Sequence, residues 1–198
     1  KMLGLIQKDI YQMLKYQRVL LLIVIVFAAV SAKNIDNAFF SIYPAVIAGL
    51  SMVTLQSYDE QSGFACYSMV MPVSKKTIVG EKYLYGIGMI LLVSLVDAVS
   101  FLFFQFPILE ALRSICFIIA VGLICLSVFL PFIFAYGVER GRTAYVVAMG
   151  VYCALTFLIK DRLQNVPIIT LGGAVGIGVV LTAVSFAVSV LAYDRRSF

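Results

Sequence analysis

Asp97 is the residue whose position most needs a chemical explanation, because it lies deep in a long apolar run. A carboxylate at the centre of a membrane helix costs about 2.5 to 3.5 kcal/mol on insertion scales, so it should face a bundle interior, a subunit interface or a wet path. Ser94 and Ser100 lie three residues to either side and would extend a polar stripe along the same helix face. The three residues are candidates for a translocation path or interface. The alternative for Asp97 is a protonated or hydrogen-bonded packing residue with no direct role.

Catalysis by this chain alone is not indicated. The sequence has no histidine, which is the usual general base and the commonest metal ligand. It has no GxxxxGK[ST] loop to cradle phosphate, and an aspartyl mechanism would need a second carboxylate beside Asp97. The four cysteines show no metal-ligand spacing, which is typical of small core residues. We expect no enzymatic activity, no metal and no cofactor bound by the chain itself.

The amino-acid composition indicates whether most of this chain is surrounded by water or by lipid. The 198 residues are 63% hydrophobic and 13% charged, with a mean hydropathy of +1.05. Such a chain has too little polar surface to cover a water-soluble globule. The sequence therefore predicts an all-α integral membrane protein, a single transmembrane domain over residues 1–198. Its net charge of +5 is better explained by an anionic inner leaflet than by nucleic-acid binding.

Hydrophobic runs predict six transmembrane helices after an amphipathic interfacial helix at residues 1–18. The interfacial helix has Leu3, Ile6, Ile10, Met13 and Leu14 at helical spacing. The predicted spans are Val19–Ala32, Phe39–Leu55, Tyr83–Leu109, Ile115–Val138, Thr143–Ile159 and Val166–Tyr193.

The distribution of basic residues predicts the orientation of the spans. Six spans place both termini on one side, together with residues 57–82 and the Glu139–Arg142 turn. That side carries 11 lysines and arginines, and the other side carries 4. By the positive-inside rule, both termini and residues 57–82 are expected in the cytoplasm.

Residues 57–82 form the longest polar stretch, and we interpret them as a docking surface for a partner. Asp59, Glu60 and Gly63 are expected to end the second span. A short amphipathic helix then follows, with Phe64, Tyr67 and Met71 spaced three and four residues apart, suited to a hydrophobic groove. The alternative is an interfacial re-entrant or surface helix that binds nothing.

The second half of this stretch is expected to lead into the third span. Pro72 stops the short helix, and Ser74 can cap the next one. Lys75, Lys76 and Lys82 would then place basic residues at the lipid interface.

Glycine spacing offers a possible contact between helices. Gly172 and Gly176 have the small-xxx-small spacing that lets membrane helices approach closely. The spacing fits packing within one subunit, and it also fits a dimer interface.

The order of these features resembles the ABC-2-type transporter permeases, which are membrane subunits of ABC exporters in Gram-positive bacteria. The specific motif covers about 25 residues between the second and third spans, and it includes a Pro-Val-Ser-Lys-Lys turn and an Ile-Val-x-x-Lys-Tyr helix entry. Those two parts are Pro72, Val73, Ser74, Lys75 and Lys76, and then Ile78, Val79, Lys82 and Tyr83.

The resemblance implies a permease subunit in the bacterial cell membrane that pairs with a second copy of itself. Each copy would dock a separate cytoplasmic ATPase subunit, two per complex, which would bind ATP and Mg. In that reading Phe64, Tyr67 and Met71 are anchors in the ATPase groove, and the charged residues around them set the register. Those charged residues are Asp59, Glu60, Lys75 and Lys76.

Among such short permeases, the chain is similar to the membrane subunits of exporters of amphipathic toxins, such as the phenol-soluble modulins, and to bacteriocin self-protection exporters. An amphipathic or hydrophobic peptide, or a drug, is therefore the expected substrate.

Two other functional classes remain open on the sequence. A stand-alone channel or secondary transporter would use Asp97 as an ion or proton site, although such proteins usually contain internal repeats, and none is evident between the two halves. A non-transporting immunity or scaffold protein would need neither Asp97 nor a groove-binding helix.

Overall fold

A computed structural model of the chain describes residues 2–33, 38–64, 67, 74–104, 107–147, 150 and 168–195. All regular structure in these residues is helical, so the predicted all-α class is confirmed for this part of the chain. The helices are α1 (Met2–Tyr16), α2 (Arg18–Lys33), α3 (Ala38–Gln61), α4 (Lys75–Phe103), α5 (Ile108–Tyr136), α6 (138–147) and α7 (Ile168–Arg195).

Three helical stretches in the described residues are long and apolar enough to cross a membrane. They are Lys75–Phe103 in α4, Ala111–Tyr136 in α5 and Thr170–Asp194 in α7, with a fourth if α1 and α2 are one bent span. The prediction of six spans is thus supported only in part. Most of the predicted fifth span, residues 151–159, lies outside the described residues.

The boundaries around the predicted third span differ from the expectation. α4 begins at Lys75, directly after the predicted Ser74 cap, but it ends at Phe103 rather than Leu109, and Pro107 precedes the first residue of α5. Proline cannot donate a backbone hydrogen bond, so it is tolerated at a helix start but not in an interior. Much of the polar stretch is therefore helical: residues 57–61 are the last turns of α3, and residues 75–82 are the first turns of α4.

α1 is a separate amphipathic helix, as predicted, and the chain bends by 75° between it and α2. At the bend, the Gln17 side chain donates a hydrogen bond of 3.0 Å to the carbonyl oxygen of Ser51 in α3. The face of α1 that packs on the protein carries Leu5, Asp9 and Met13, whereas Ile10 is exposed. The apolar residues predicted for the membrane-facing side therefore divide between two faces. The position of α1 at the bilayer surface stays a prediction.

α5 is the most buried of the three membrane-spanning stretches and packs against α3, α4 and α7. Its Ile118 and Leu130 side chains are fully buried. At the crossing with α4, a Cβ added to Gly122 would lie 2.9 Å from Cγ1 of Ile90. A glycine is thus what allows these two helices to approach so closely, as is common between membrane helices.

Candidate functional site

The turn after α3 ends that helix as the sequence predicts. Gly63 has φ of +67°, a left-handed conformation that glycine adopts without a steric penalty. Its backbone N–H donates to the carbonyl oxygen of Glu60 at 3.1 Å, and the Ser62 hydroxyl donates to that of Asp59 at 3.1 Å. Asp59 and Glu60 are therefore held on the last turn of α3, where Asp59 faces the start of α4 and Glu60 faces Val138.

Ser74 caps α4, which confirms its predicted role. Its backbone is extended, with φ of −74° and ψ of 146°, and its hydroxyl accepts a hydrogen bond of 3.3 Å from the backbone N–H of Thr77. The cap satisfies one of the backbone donors that a helix start leaves free. It fixes the register of α4, and with it the direction in which Glu81 and Lys82 point.

Lys82 lies at the centre of a buried group of charges that joins three helices. Its ammonium is 2.6 Å from Asp59 Oδ2 on α3 and 2.7 Å from Asp9 Oδ2 on α1. Only 2% of the Lys82 side chain and none of the Asp9 side chain is exposed. The expectation that Lys82 lies at the lipid interface is wrong, because its ammonium group is buried and paired with carboxylates of the same chain.

Two further ionisable residues complete this group, which we call the buried charge cluster: Lys8, Asp9, Asp59, Glu81 and Lys82. The Lys8 ammonium, partly exposed, lies 3.0 Å from Asp9 Oδ1 and 2.7 Å from Asp59 Oδ1. Glu81 is fully buried, with one carboxyl oxygen 3.7 Å from Lys82 Nζ. The cluster fastens α1 to the end of α3 and the start of α4.

Electrostatics within the cluster favour an ionised Asp9. Burial alone would raise the pKa of Asp9, but a hydrogen bond with Glu81 and the charges of Lys82 and Lys8 lower it below its ordinary value of 3.8. Among the described residues, no group of His, Cys, Asp and Glu could hold a metal ion. At this site the Lys82 ammonium itself lies between the carboxylates.

Glu60, the second predicted docking acid, caps another helix. Both of its carboxyl oxygens accept from the backbone N–H of Val138 at 3.2 Å, at the first residue of α6. A carboxylate is favoured at this position because the N-terminal end of a helix carries partial positive charge. The Glu139–Arg142 segment, expected to be a turn, is helical and follows Gly137, whose φ is +87°.

A third contact brings the end of α7 to the start of α4. Lys75 Nζ lies 3.2 Å from Asp194 Oδ1, and both side chains are about half exposed. Together with the buried charge cluster and the Glu60 cap, this contact places four helix ends at one end of the bundle. They are the ends of α3 and α7 and the starts of α4 and α6, with α1 packed beside them.

The structure therefore divides the predicted docking residues into internal and exposed ones. Asp59 and Glu60 make contacts within the subunit, and Phe64 lies under Lys8, whose Nζ is 3.8 Å from the ring centre. Tyr67 is 62% exposed, and Lys75 and Lys76 are also exposed. Met71 lies outside the described residues. Docking of an ATPase on the exposed residues stays a prediction.

Asp97 lies in a different part of the molecule, between α4 and α5. It is fully buried, and the Ser114 hydroxyl of α5 donates a hydrogen bond of 3.1 Å to its Oδ2. Ser94 and Ser100 instead bond to backbone carbonyl oxygens of their own helix, those of Leu91 and Val96. The three side chains thus make separate hydrogen bonds and do not form the predicted polar stripe. A role in translocation stays a prediction.

Sequence reasoning missed the buried charge cluster and a second polar contact. The Tyr83 hydroxyl lies 2.6 Å from the Ser185 hydroxyl and 2.8 Å from that of Ser189, which joins α4 to α7. One signal was present in the sequence. Asp9 falls between Leu5 and Met13 on one face of a helix, where a charged residue is not expected unless it has a partner.

Comparison with known proteins gives a match over nearly the whole chain. A family model described as ABC-2 family transporter protein matches residues 4–194. No curated protein and no solved structure matches the chain.

Proposed function

Because the chain belongs to the ABC-2 transporter family, whose members are membrane subunits without a nucleotide-binding domain, we propose that it is the permease of an ATP-driven exporter. A permease of this kind works with a cytoplasmic ATPase and the membrane. The finer proposal is that the ATPase docks where α3, α4, α6 and α7 meet α1. ATP and Mg bind to that partner, in two copies.

The docking proposal rests on one observation, which is that these helices converge at one end of the bundle. Lys75 pairs directly with Asp194, and Lys75 and Lys76 lie within two helix turns of Lys82 on α4. Tyr67 follows shortly after Glu60, whose carboxyl group caps α6. A partner that moves any of the three exposed residues therefore acts close to these contacts. Those contacts reach α1, α3, α4, α6 and α7. A displacement at the docking surface would therefore be passed to most of the bundle.

The same proposal includes a homodimer with both termini in the cytoplasm of a bacterial cell. On α7, a Cβ added to Gly172, Gly173 or Gly176 would meet nothing within 4 Å in the described part of the chain. An open glycine face on a membrane helix is compatible with a second copy packing there. The substrate class that we propose is an amphipathic or hydrophobic compound such as a peptide toxin, as in phenol-soluble modulin export.

The test is affinity capture of the tagged permease from gently solubilised cells, comparing the unmodified chain with Tyr67→Ala. We expect the unmodified chain to retain an ATPase subunit in a two-plus-two complex. Tyr67→Ala should reduce ATPase recovery several-fold, because hot-spot aromatic residues supply much of an interface's affinity. Membrane insertion should not change.

Phe103→Ala is the control, because Phe103 is also an exposed aromatic residue, at 82%, but lies at the opposite end of α4 from Lys75 and the docking surface. It should leave ATPase recovery unchanged. Equal recovery with Tyr67→Ala would refute the docking assignment. A homo-oligomer without any ATPase would favour the channel or scaffold alternative.

A further inference from the structure

The buried charge cluster contains more acids than bases. Asp9, Asp59 and Glu81 provide three carboxyl groups, whereas Lys8 and Lys82 provide two ammonium groups. If all five were ionised, the cluster would carry one uncompensated negative charge. Such a charge is costly in a buried site and is usually removed by protonation.

Glu81 is the carboxyl group without an ammonium partner of its own. It is fully buried, and neither of its oxygens accepts a hydrogen bond from an N–H, ammonium or hydroxyl donor among the described residues. Its nearest cation, Lys82, is 3.7 Å away and already bonds Asp9 and Asp59 at 2.7 and 2.6 Å. Glu81 faces Asp9 within hydrogen-bonding reach. Two carboxyl groups can bond in this way only if one of them carries a proton.

We infer that the buried charge cluster is a proton-binding site, in which Glu81 carries one proton and donates a hydrogen bond to Asp9. The groups around this proton come from three helices: Lys8 from α1, Asp59 from α3, and Lys82 and Tyr85 from α4. With the proton bound, two carboxylates face two ammonium groups and the charges balance. Without it, the interface of α1 with α3 and α4 contains an unpaired negative charge.

The proton therefore controls how tightly α1 is held. At neutral pH the cluster is balanced and α1 is fastened to the ends of α3 and α4. Deprotonation at alkaline pH should loosen α1, because the unpaired charge gains solvation when the cluster opens to water. That this would regulate ATPase coupling rests on the proposed function. The proton site itself does not.

Infrared spectroscopy of the purified full-length chain tests for the proton directly. The Asp97→Asn background removes the fully buried carboxyl group that lies outside the buried charge cluster among the described residues. In that background we expect the carbonyl band of a protonated carboxyl group at neutral pH, shifted in heavy water. Adding Glu81→Gln should abolish the band, and so should alkaline pH. A spectrum in which Glu81→Gln removes no such band would overturn the inference.

Thiol labelling tests the consequence for α1, in a background where the four native cysteines are replaced by serine. Met13→Cys reports the buried face of α1, and Gln7→Cys reports its exposed face and corrects for thiol ionisation. The ratio of the two labelling rates should rise by about tenfold between about pH 7 and about pH 10. A constant ratio would overturn the inference.

Two variants make the labelling test specific, because each balances the cluster without a proton. Glu81→Gln and Asp9→Asn both remove one acid, so the labelling ratio in each should stay constant over the same pH range. A rise equal to that of the unmodified cluster would refute the assignment to this proton. The measurements use the permease alone, so their failure would leave the docking proposal standing, and the reverse also holds.

Discussion

At the scale of single residues, Lys82 is the side chain on which most of the electrostatic balance depends. Its ammonium is the nearest partner of two carboxylates that are almost completely buried. Removing one member of a buried ion pair costs more than the pair contributes, because the remaining charge keeps its desolvation penalty and loses its partner. Lys82 should therefore be more sensitive to substitution than any exposed lysine.

Lys82→Met tests this expectation. The variant retains most of the aliphatic side chain but leaves Asp9 and Asp59 with only the partly exposed Lys8 as a cation. We expect it to lose about 3 to 5 kcal/mol of stability. The measurement is the unfolding midpoint in detergent, which should fall by about 10 °C for a chain of this size.

Lys75→Met is the matched control, since Lys75 lies on the same helix and also pairs with an aspartate. That pair is half exposed, at 50% and 53%, and exposed pairs contribute at most about 1 kcal/mol. Its midpoint should hardly change. Similar losses in both variants would show that burial of Lys82 does not determine the effect.

Residue-level prediction succeeded where a single local pattern was sufficient. Gly63 and Ser74 were identified from turn and cap chemistry, which depends on neighbours a few residues away. The buried charge cluster was missed because its members lie far apart in the sequence: Asp9 and Lys82 are separated by 73 positions. Charges near the ends of apolar runs usually face water or lipid head groups, so the sequence pattern favoured the wrong environment for Lys82.

At the scale of helices, the close approach of α4 and α5 determines how well the centre of the bundle packs. Gly122 on α5 is the point of contact, since a Cβ there would lie 2.9 to 3.0 Å from three side-chain atoms of Ile90. Ile90 is 4% exposed and branched at Cβ, so it has little room to move aside. Even one added methyl group should therefore separate the two helices.

Gly122→Ala is thus expected to destabilise the protein by about 1 to 3 kcal/mol, the usual cost of overpacking a core. Gly88→Ala on α4 is the control, because a Cβ at that position meets nothing within 4 Å in the described part of the chain. Alanine forms helices better than glycine, so the control should be neutral or slightly stabilising. Detergent unfolding midpoints compare the two, and a destabilised control would argue against close packing as the cause.

Helix identity was predictable from hydrophobic runs, but helix boundaries were not. The predicted spans exclude the polar residues 57–61 and 75–82, whereas these residues continue α3 and α4, as the predicted Ser74 cap indicates for the second range. Their charges are satisfied by contacts between helices, such as Asp59 with Lys82, rather than by water. Hydropathy alone cannot distinguish a polar loop from a helix end whose polar residues bond to a neighbouring helix.

At the scale of the whole molecule, the described contacts are consistent with the predicted sidedness. Lys82 with Asp9, Glu60 with Val138 and Lys75 with Asp194 join at one end the segments that the distribution of lysine and arginine assigns to one side. Phe103, the last residue of α4, lies at the other end of that helix, 28 positions from Lys75, and Ile108 begins α5 there. One end of the bundle should therefore face the cytoplasm and the other the outside.

Labelling of intact cells with a membrane-impermeant thiol reagent checks this orientation. In a background without the native cysteines, Ile108→Cys should react from outside, because Ile108 is 75% exposed at the start of α5. Glu139→Cys, exposed at the start of α6, should react only after the membrane is permeabilised. The reversed pattern would place the charged end outside, where no cytoplasmic ATPase could reach Tyr67. It would thus rule out the docking surface together with the orientation.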